Sequence, residues 1–305
     1  MAASRTALAA AVLIVLLGCS GCRSAGGSGA EANGPAVELP GYDALYAKAN
    51  RRIGTLDRYW ARAIVALRYV DAEGERRRDQ GEGHLQFIRP GSVALFVGKL
   101  GEPGLILGSD GTRFWWIELI EARRALVGEA GSAAAASVDV LGVPILPRDL
   151  LLGLDAVPWP EPGSVGLPRV VGVSWTRLDG LDTSRTAAVG FEDADRRWRV
   201  HVDVFTGDPM AVEILTAAGE PVCVARLGDH GRVLNRLGAA VEPRMAGSAI
   251  IEVPAAEATI ELTLRDAELS PRRPRPVVFD LDQLLERFRV EDVRVIREGA
   301  GGPAS

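Results

Sequence analysis

From Arg62 onward the chain keeps returning to one pattern, short runs in which every second residue is apolar, separated by turn-forming residues. Alternation of period two puts successive side chains on opposite faces of a strand, so each run predicts a strand with one buried face. Ala63, Val65, Leu67 and Tyr69 begin the series, with Arg62 and Arg68 on the other face. After the turn residues Asp71-Ala72-Glu73-Gly74, further strands are expected at 83–89, 92–98, 104–109, 113–118 and 124–128. Asp110-Gly111 is a strong hairpin signal within this group. The second half repeats the rhythm at 186–191, 197–205, 210–217, 222–227, 259–264 and 293–296, with turns at Gly207-Asp208-Pro209 and Ala218-Gly219-Glu220.

Helical spacing is confined to three places. Leu45, Ala49, Ile53, Leu56 and Trp60 predict a helix near 42–60; Pro147 opens a short one at 147–153; Leu281, Leu284, Leu285 and Phe288 lie on a third at 280–288. A sheet of so many antiparallel strands must curl, close or be covered on its apolar face. The expected fold is therefore mainly β (α+β): a strongly curved antiparallel sheet whose concave side the helices cover. No fixed-period repeat points to a propeller or solenoid.

The N-terminus reads differently. Arg5 precedes an apolar run from Ala7 to Leu17, then Gly18-Cys19. A spanning helix needs about 20 apolar residues, so this shorter run fits a signal peptide over 1–18. Leu16-Leu17-Gly18-Cys19 resembles the lipobox of bacterial lipoproteins, which implies lipidation of Cys19 and a membrane anchor. Cys22 lacks such residues before it. Two acyl chains suffice for stable attachment, each methylene adding about 0.8 kcal/mol. Residues 19–40, rich in Gly, Ala and Ser, read as a flexible tether, 41–298 as the folded β-domain and 299–305 as a disordered tail. Ser20 after the lipidated residue implies the outer membrane, facing the periplasm.

Within the body, Leu67-Arg68-Tyr69-Val70-Asp71-Ala72-Glu73-Gly74, Gly83-His84-Leu85-Gln86-Phe87-Ile88-Arg89-Pro90, Leu105-Ile106-Leu107-Gly108-Ser109-Asp110-Gly111 and the aromatic strand Phe114-Trp115-Trp116 follow in order. This stretch, Ala63 to Gly128, resembles the LolA/LolB-like proteins, the periplasmic lipoprotein carrier and its outer-membrane receptor. The resemblance implies a half-open β-barrel holding acyl chains on its concave face beneath helical covers. The lipobox is more like the anchored receptor. The strands from Thr186 to Leu264 carry no motif of that family.

Leu67, Leu85, Phe87, Leu95, Leu107, Phe114 and Trp116 are the expected lining of an apolar cavity, although a slip of one residue would turn every side chain to the other face. They are equally suited to a closed core. Catalytic constellations are missing from the sequence: it holds no Gly-x-Ser-x-Gly elbow, HExxH or P-loop. His201 and Asp203 sit two apart on a strand, a pair of ligand types without a third, and read as surface residues. Asp193/Asp195 and Glu73/Glu75 belong to charged turns, as do Arg76-Arg77-Arg78 and Arg272-Arg273. Trp115, Trp116, Trp159 and Trp175 read as packing residues more readily than as exposed sugar or headgroup contacts. Cys223, in an apolar alternation, reads as a small buried hydrophobe. A net charge of −5 with mixed signs argues against nucleic acid. The expected function is a non-enzymatic envelope lipoprotein that binds lipid or lipoprotein acyl chains, with no cofactor or metal. The alternative is a module that binds a protein or glycan partner through the same sheet.

Overall fold

The structure is a computed structural model that describes residues 37–70, 74–120, 122–129, 145–194, 196–238 and 243–296. Helix α1 (Tyr42–Ile53) leads into strands β1 (Arg58–Val70), β2 (Arg76–Ile88), β3 (Ser92–Lys99), β4 (Glu102–Asp110), β5 (Arg113–Glu118) and β6 (Arg124–Glu129). Helix α2 (Pro147–Gly153) and an irregular stretch precede β7 (Arg169–Trp175), β8 (Thr186–Glu192), β9 (Arg196–Asp203), β10 (Pro209–Thr216) and β11 (Pro221–Gly228). Three two-residue strands follow: β12 (Gly231–Arg232), β13 (Leu234–Asn235) and β14 (Arg244–Met245). The chain ends through β15 (Ser248–Val253), β16 (Ala258–Leu269), α3 (Leu281–Phe288) and β17 (Asp292–Val295).

One 15-stranded sheet takes up all the strands except β12 and β14. Its path runs β17-β6-β5-β4-β3-β2-β1-β16-β15-β11-β10-β9-β8-β7, with β13 beside β16. The path has two ends, so among the described residues the sheet is open rather than a closed barrel. Pairing is antiparallel except for β17 on β6 and β13 on β16. The β1–β16 ladder joins the two halves and carries a bulge between Trp60 and Arg62.

Register turns the period-two pattern into cross-strand rows. Ala61 faces Leu85, Leu85 faces Leu95, Leu95 faces Leu107 and Leu107 faces Trp116, which makes one apolar row across β1 to β5. Tyr59, Phe87 and Val93 form the start of a neighbouring row, and Phe114 stands at its far end. Curvature is built in where β2 and β3 approach closely. A Cβ on Gly83 would sit 1.8 Å from the Phe96 carbonyl oxygen, so only glycine allows that approach.

A single hydrophobic core combines these rows with the apolar faces of β8 to β11, β15 and β16 from the other half. Faces this far apart along the sheet share one core because the sheet wraps around it. Helices α1 and α2 fill the concave side. Leu45, Ala49 and Ile53 of α1 point inward, as do Leu150, Leu151 and Leu152 of α2. Asp149, the third residue of α2, accepts the Leu146 N–H at 3.1 Å and so satisfies one donor at the helix start.

Five expectations need correction. Helix α1 stops at Ile53 because Gly54 and a turn to Leu56 end it, and Trp60 lies in β1 on the opposite face, beneath the Arg273 guanidinium. Arg76, Arg77 and Arg78 are not a turn but the start of β2, paired with Val70, Tyr69 and Arg68. Strands β7 and β15 were not anticipated, since Gly172 interrupts the first and the adjacent Ile250-Ile251 blurs alternation in the second. Helix α3 does not cover the concave side. It packs Leu281 and Leu284 on the outer face against Ile106, Trp115 and Ile117, because β4 and β5 are apolar on both faces and need cover on both. His201, expected at the surface, is 2% exposed. The segments 1–36, 71–73, 130–144 and 297–305 and the single position Asp195, which include Cys19, most of the tether, most of the first turn and the tail, lie outside the described residues.

Candidate functional site

The concave interior is the place where the predicted lining residues meet. Leu85, Phe87, Leu95, Leu107, Phe114 and Trp116 are buried in one cluster, and half-buried Leu67 packs against its edge. The side-chain face read from the sequence is thus the inward one for all seven. Alternation marks the inward face of β1 and β2, and strand register extends that face to Leu95, Leu107, Phe114 and Trp116.

The roof over this face is fixed by polar contacts of unusual depth. Arg52 of α1 forms a buried ion pair with Asp155, just past α2, and the same carboxylate accepts the Trp159 indole N–H at 2.9 Å. Arg89, at the end of β2, donates to the Ala156 carbonyl at 2.8 Å, and Tyr42 donates to the Pro160 carbonyl at 2.5 Å. Burial pushes the Asp155 carboxyl above its usual range, against the pull of Arg52. Burial likewise lowers Arg89 to about 10. On the other flank, Asp149 of α2 meets Arg196 of β9 at 3.5 Å. Tyr42, Trp159 and Phe191 stack around the roof, with Trp159 and Phe191 5.2 Å apart edge to face.

Several buried polar atoms in this region have no partner in the protein. They are the Tyr59 hydroxyl, the Trp116 indole nitrogen, Arg89 Nε, and Nε and Nη1 of Arg52. Buried donors are nearly always paired, so a run of orphans along one interior is unusual. Sequence reading missed the roles of Arg52, Arg89, Asp149 and Asp155, since the contacts Arg52–Asp155, Arg89–Ala156 and Asp149–Arg196 join residues 47 to 103 positions apart.

The other sequence candidates resolve differently. His201 is held between Thr176 Oγ1, at 2.7 Å, and Glu213, at 2.8 Å, while Asp203 pairs with Arg185 and caps its own turn. The structure therefore gives each of them a separate partner. Among the described residues no group of three His, Cys, Asp or Glu could hold a metal. Asp193 is not a solvated turn residue but pairs with Arg148 of α2. Trp115, Trp116 and Trp159 are core residues, and Cys223 is buried, its thiol pushed up to about 12 by desolvation.

Among the described residues, concavities also open to solvent elsewhere. A shallow trough of about 870 Å³ crosses the outer face of β1 to β3, lined by Arg62, Glu82, His84 and Phe96, with the His84 ring stacked on Phe96 at 4.7 Å. A smaller one, of about 270 Å³, lies beside α1. No helix among the described residues is long and apolar enough to cross a membrane.

No protein-family model matches the chain, and no curated protein matches it in sequence. Solved structures do match in shape. A putative outer membrane lipoprotein-sorting protein domain from Vibrio parahaemolyticus superposes with a TM-score of 0.51 at 12% identity, over 81% of this chain and 98% of that one. A LolA superfamily protein from Nitrosomonas europaea gives 0.49 at 11% identity, over 80% and 99%. The body, a large curved antiparallel sheet left open and covered by helices, thus shares its fold with that lipoprotein-sorting protein domain.

Proposed function

We propose that the protein is a bacterial envelope lipoprotein, held at the membrane by lipid on Cys19, that takes acyl chains into its concave interior without chemistry. The observation that carries this reading is the interior itself. Seven apolar side chains from five strands line one face, helices α1 and α2 cover them, and unpartnered donors stand along it. Ester carbonyls of an acylated ligand would supply the acceptors that Tyr59 and Trp116 lack. The neighbouring fold of a lipoprotein-sorting domain supports the reading, as does the lipobox. Outer-membrane placement facing the periplasm follows from Ser20 as an expectation.

Magnitudes are consistent with reversible binding. Leu150, Leu151 and Leu152 are buried in the roof. At about 1.5–3 kcal/mol each, lifting α2 costs on the order of 5–9 kcal/mol, and separating the buried Arg52–Asp155 pair adds about 3–5. A chain of about a dozen methylenes returns roughly 10 kcal/mol at about 0.8 each. The exchange is nearly balanced, as uptake and release both require.

The test is native mass spectrometry with lipid extraction on the full chain carrying Cys19→Ser, purified from a bacterial host. Near-stoichiometric acyl lipid is expected, and Leu67→Glu at the half-buried rim should reduce it in a protein that stays folded. An unliganded mass that takes up no added lipid would sink the proposal. A protein or glycan partner is the second reading, and the outer trough with its stacked His84 and Phe96 is the surface that favours it.

A further inference from the structure

The smaller concavity lies where α1 passes the β9–β10 turn. Lys48, Arg51 and Arg52 form one wall, Phe205, Thr206 and Asp208 another, and Arg244 of β14 closes the third side. Four cations thus surround a space of about 270 Å³ that holds one carboxylate, Asp208, while Asp155 reaches Arg52 from the interior. The walls keep an excess of positive charge.

Arg52 is the decisive group. Its side chain is 5% exposed, and Nη2 is committed to Asp155, yet Nε and Nη1 are buried with no partner. A guanidinium carries five N–H donors and no acceptor, so three of them remain unmet here. Leaving charged donors unpaired in the interior costs more than the ~1–3 kcal/mol of a neutral group. Arg51 is exposed and has no ion pair among the described residues. Arg244 donates to Asp208 at 3.1 Å with its side chain 47% exposed, which leaves donors to spare. His230 is buried at Nε2 with no partner, and desolvation, with Arg52 and Arg244 adding to it against Asp208, holds its ring below the usual range.

The opposite wall is rigid before any ligand arrives. Asp203 accepts the N–H groups of Phe205 and Thr206 at 2.8 and 3.1 Å. Lys48 donates to the Val204 and Phe205 carbonyls, so its ammonium pins the turn and lends charge. Gly207 sits so close to α1 that a Cβ would lie 2.7 Å from Lys48 Cβ.

We propose that this pocket binds a phosphate group, with Arg51, Arg52 and Arg244 as its donors. Guanidinium forks match phosphate oxygens bidentately, and their approach from α1 and β14 suits a tetrahedral anion better than a planar carboxylate. The volume falls just below the roughly 300–1,000 Å³ of pockets that enclose whole small ligands, so it fits a headgroup rather than a lipid. Resting on the acyl-binding reading, the phosphate would belong to a lipid whose chains enter beneath α1 and α2. Arg52 then serves both sites, because the guanidinium that meets the phosphate also holds the roof through Asp155.

The experiment is calorimetric titration of the full chain carrying Cys19→Ser, and of the same chain with Arg51→Ala and Arg244→Ala, both exposed residues that make no contact with Asp155. Three probes are used: dihexanoylphosphatidic acid, dihexanoylglycerol with the same chains and no phosphate, and inorganic phosphate. The phosphatidic acid should bind at least about tenfold tighter than the dihexanoylglycerol, equal to about 1.4 kcal/mol, and the double substitution should erase that margin. Phosphatidic acid preferred over inorganic phosphate identifies a lipid headgroup; equal binding of the two, lost in the variant, identifies a free phosphate. If dihexanoylglycerol is not taken up while phosphate binds and the variant loses it, the phosphate site stands and the acyl-binding reading falls. No preference for either phosphate-bearing probe, or a preference that survives the double substitution, overturns the phosphate site even if dihexanoylglycerol binds.

Discussion

Replacing Asp155 by Asn removes a charge from the most buried ion pair of the roof while keeping an acceptor for the Trp159 indole. Both partners are nearly inaccessible, with side chains 5% and 3% exposed for Arg52 and Asp155. Breaking a buried pair from one side leaves the other charge uncompensated and costs about 3–5 kcal/mol. Domains unfold at a total cost of about 5–15 kcal/mol, so this single change removes a large part of it. For a body of this size each kcal/mol moves the midpoint by roughly 2–4 °C, which predicts a fall in Tm of about 6–20 °C. Thermal and urea unfolding followed by circular dichroism would measure it. The companion variant, Arg52→Met with Asp155→Asn, removes both charges while keeping an acceptor for the Trp159 indole, and should recover most of that loss. An Asp155→Asn protein within about 1 kcal/mol of the parent would refute the reasoning, as would a double variant no more stable than the single one.

Three further outcomes follow from the same structure. Gly83→Ala places a methyl carbon 1.8 Å from the Phe96 carbonyl, and the strand must bend away; a loss of about 3 kcal/mol in urea titration, at the upper end for overpacking, is expected. Glu213, held below its usual range first by the His201 hydrogen bond and then by nearby Arg199, stabilises the fold above its unfolded-state pKa, and that contribution disappears as pH falls through the depressed value; Glu213→Gln should flatten the acid limb of a stability-against-pH curve. Cys223, 1% exposed and with its thiol pushed up to about 12, should react with a disulfide reagent in a Cys19→Ser, Cys22→Ser background at the rate of unfolding and no faster.

The period-two runs determined the strands, and most of their bounds fall within a residue or two of the structure. Strand extensions were harder: β2 includes the polar residues 76–82, and β16 continues beyond Leu264 to Leu269. Pairing, rather than side-chain character, makes those residues strand. Alternation also determined which side of β1 and β2 is inward, since their polar residues occupy the other face, whereas β3 to β5 are apolar on both faces. Strand pairing then set Leu95, Leu107 and Trp116 in one row with Leu85, a register that a slip of one residue would have inverted.

What only the tertiary structure decided depends on contacts between residues far apart in sequence. The side of the sheet that each helix covers is such a case: α3 carries apolar residues at the spacing expected of a covering helix, but its place on the outer face follows from strands that are apolar on both sides. The Arg52–Asp155 pair spans 103 residues, and no local pattern marks either partner. The basic pocket gathers residues from α1, the β9–β10 turn and β14, three segments that share no sequence signal. Periodicity reports the side on which a residue is buried, because that is a property of neighbours along the chain. It carries no information on which charge meets which, because the energy of an ion pair depends on distances that exist once the sheet has curved around its core.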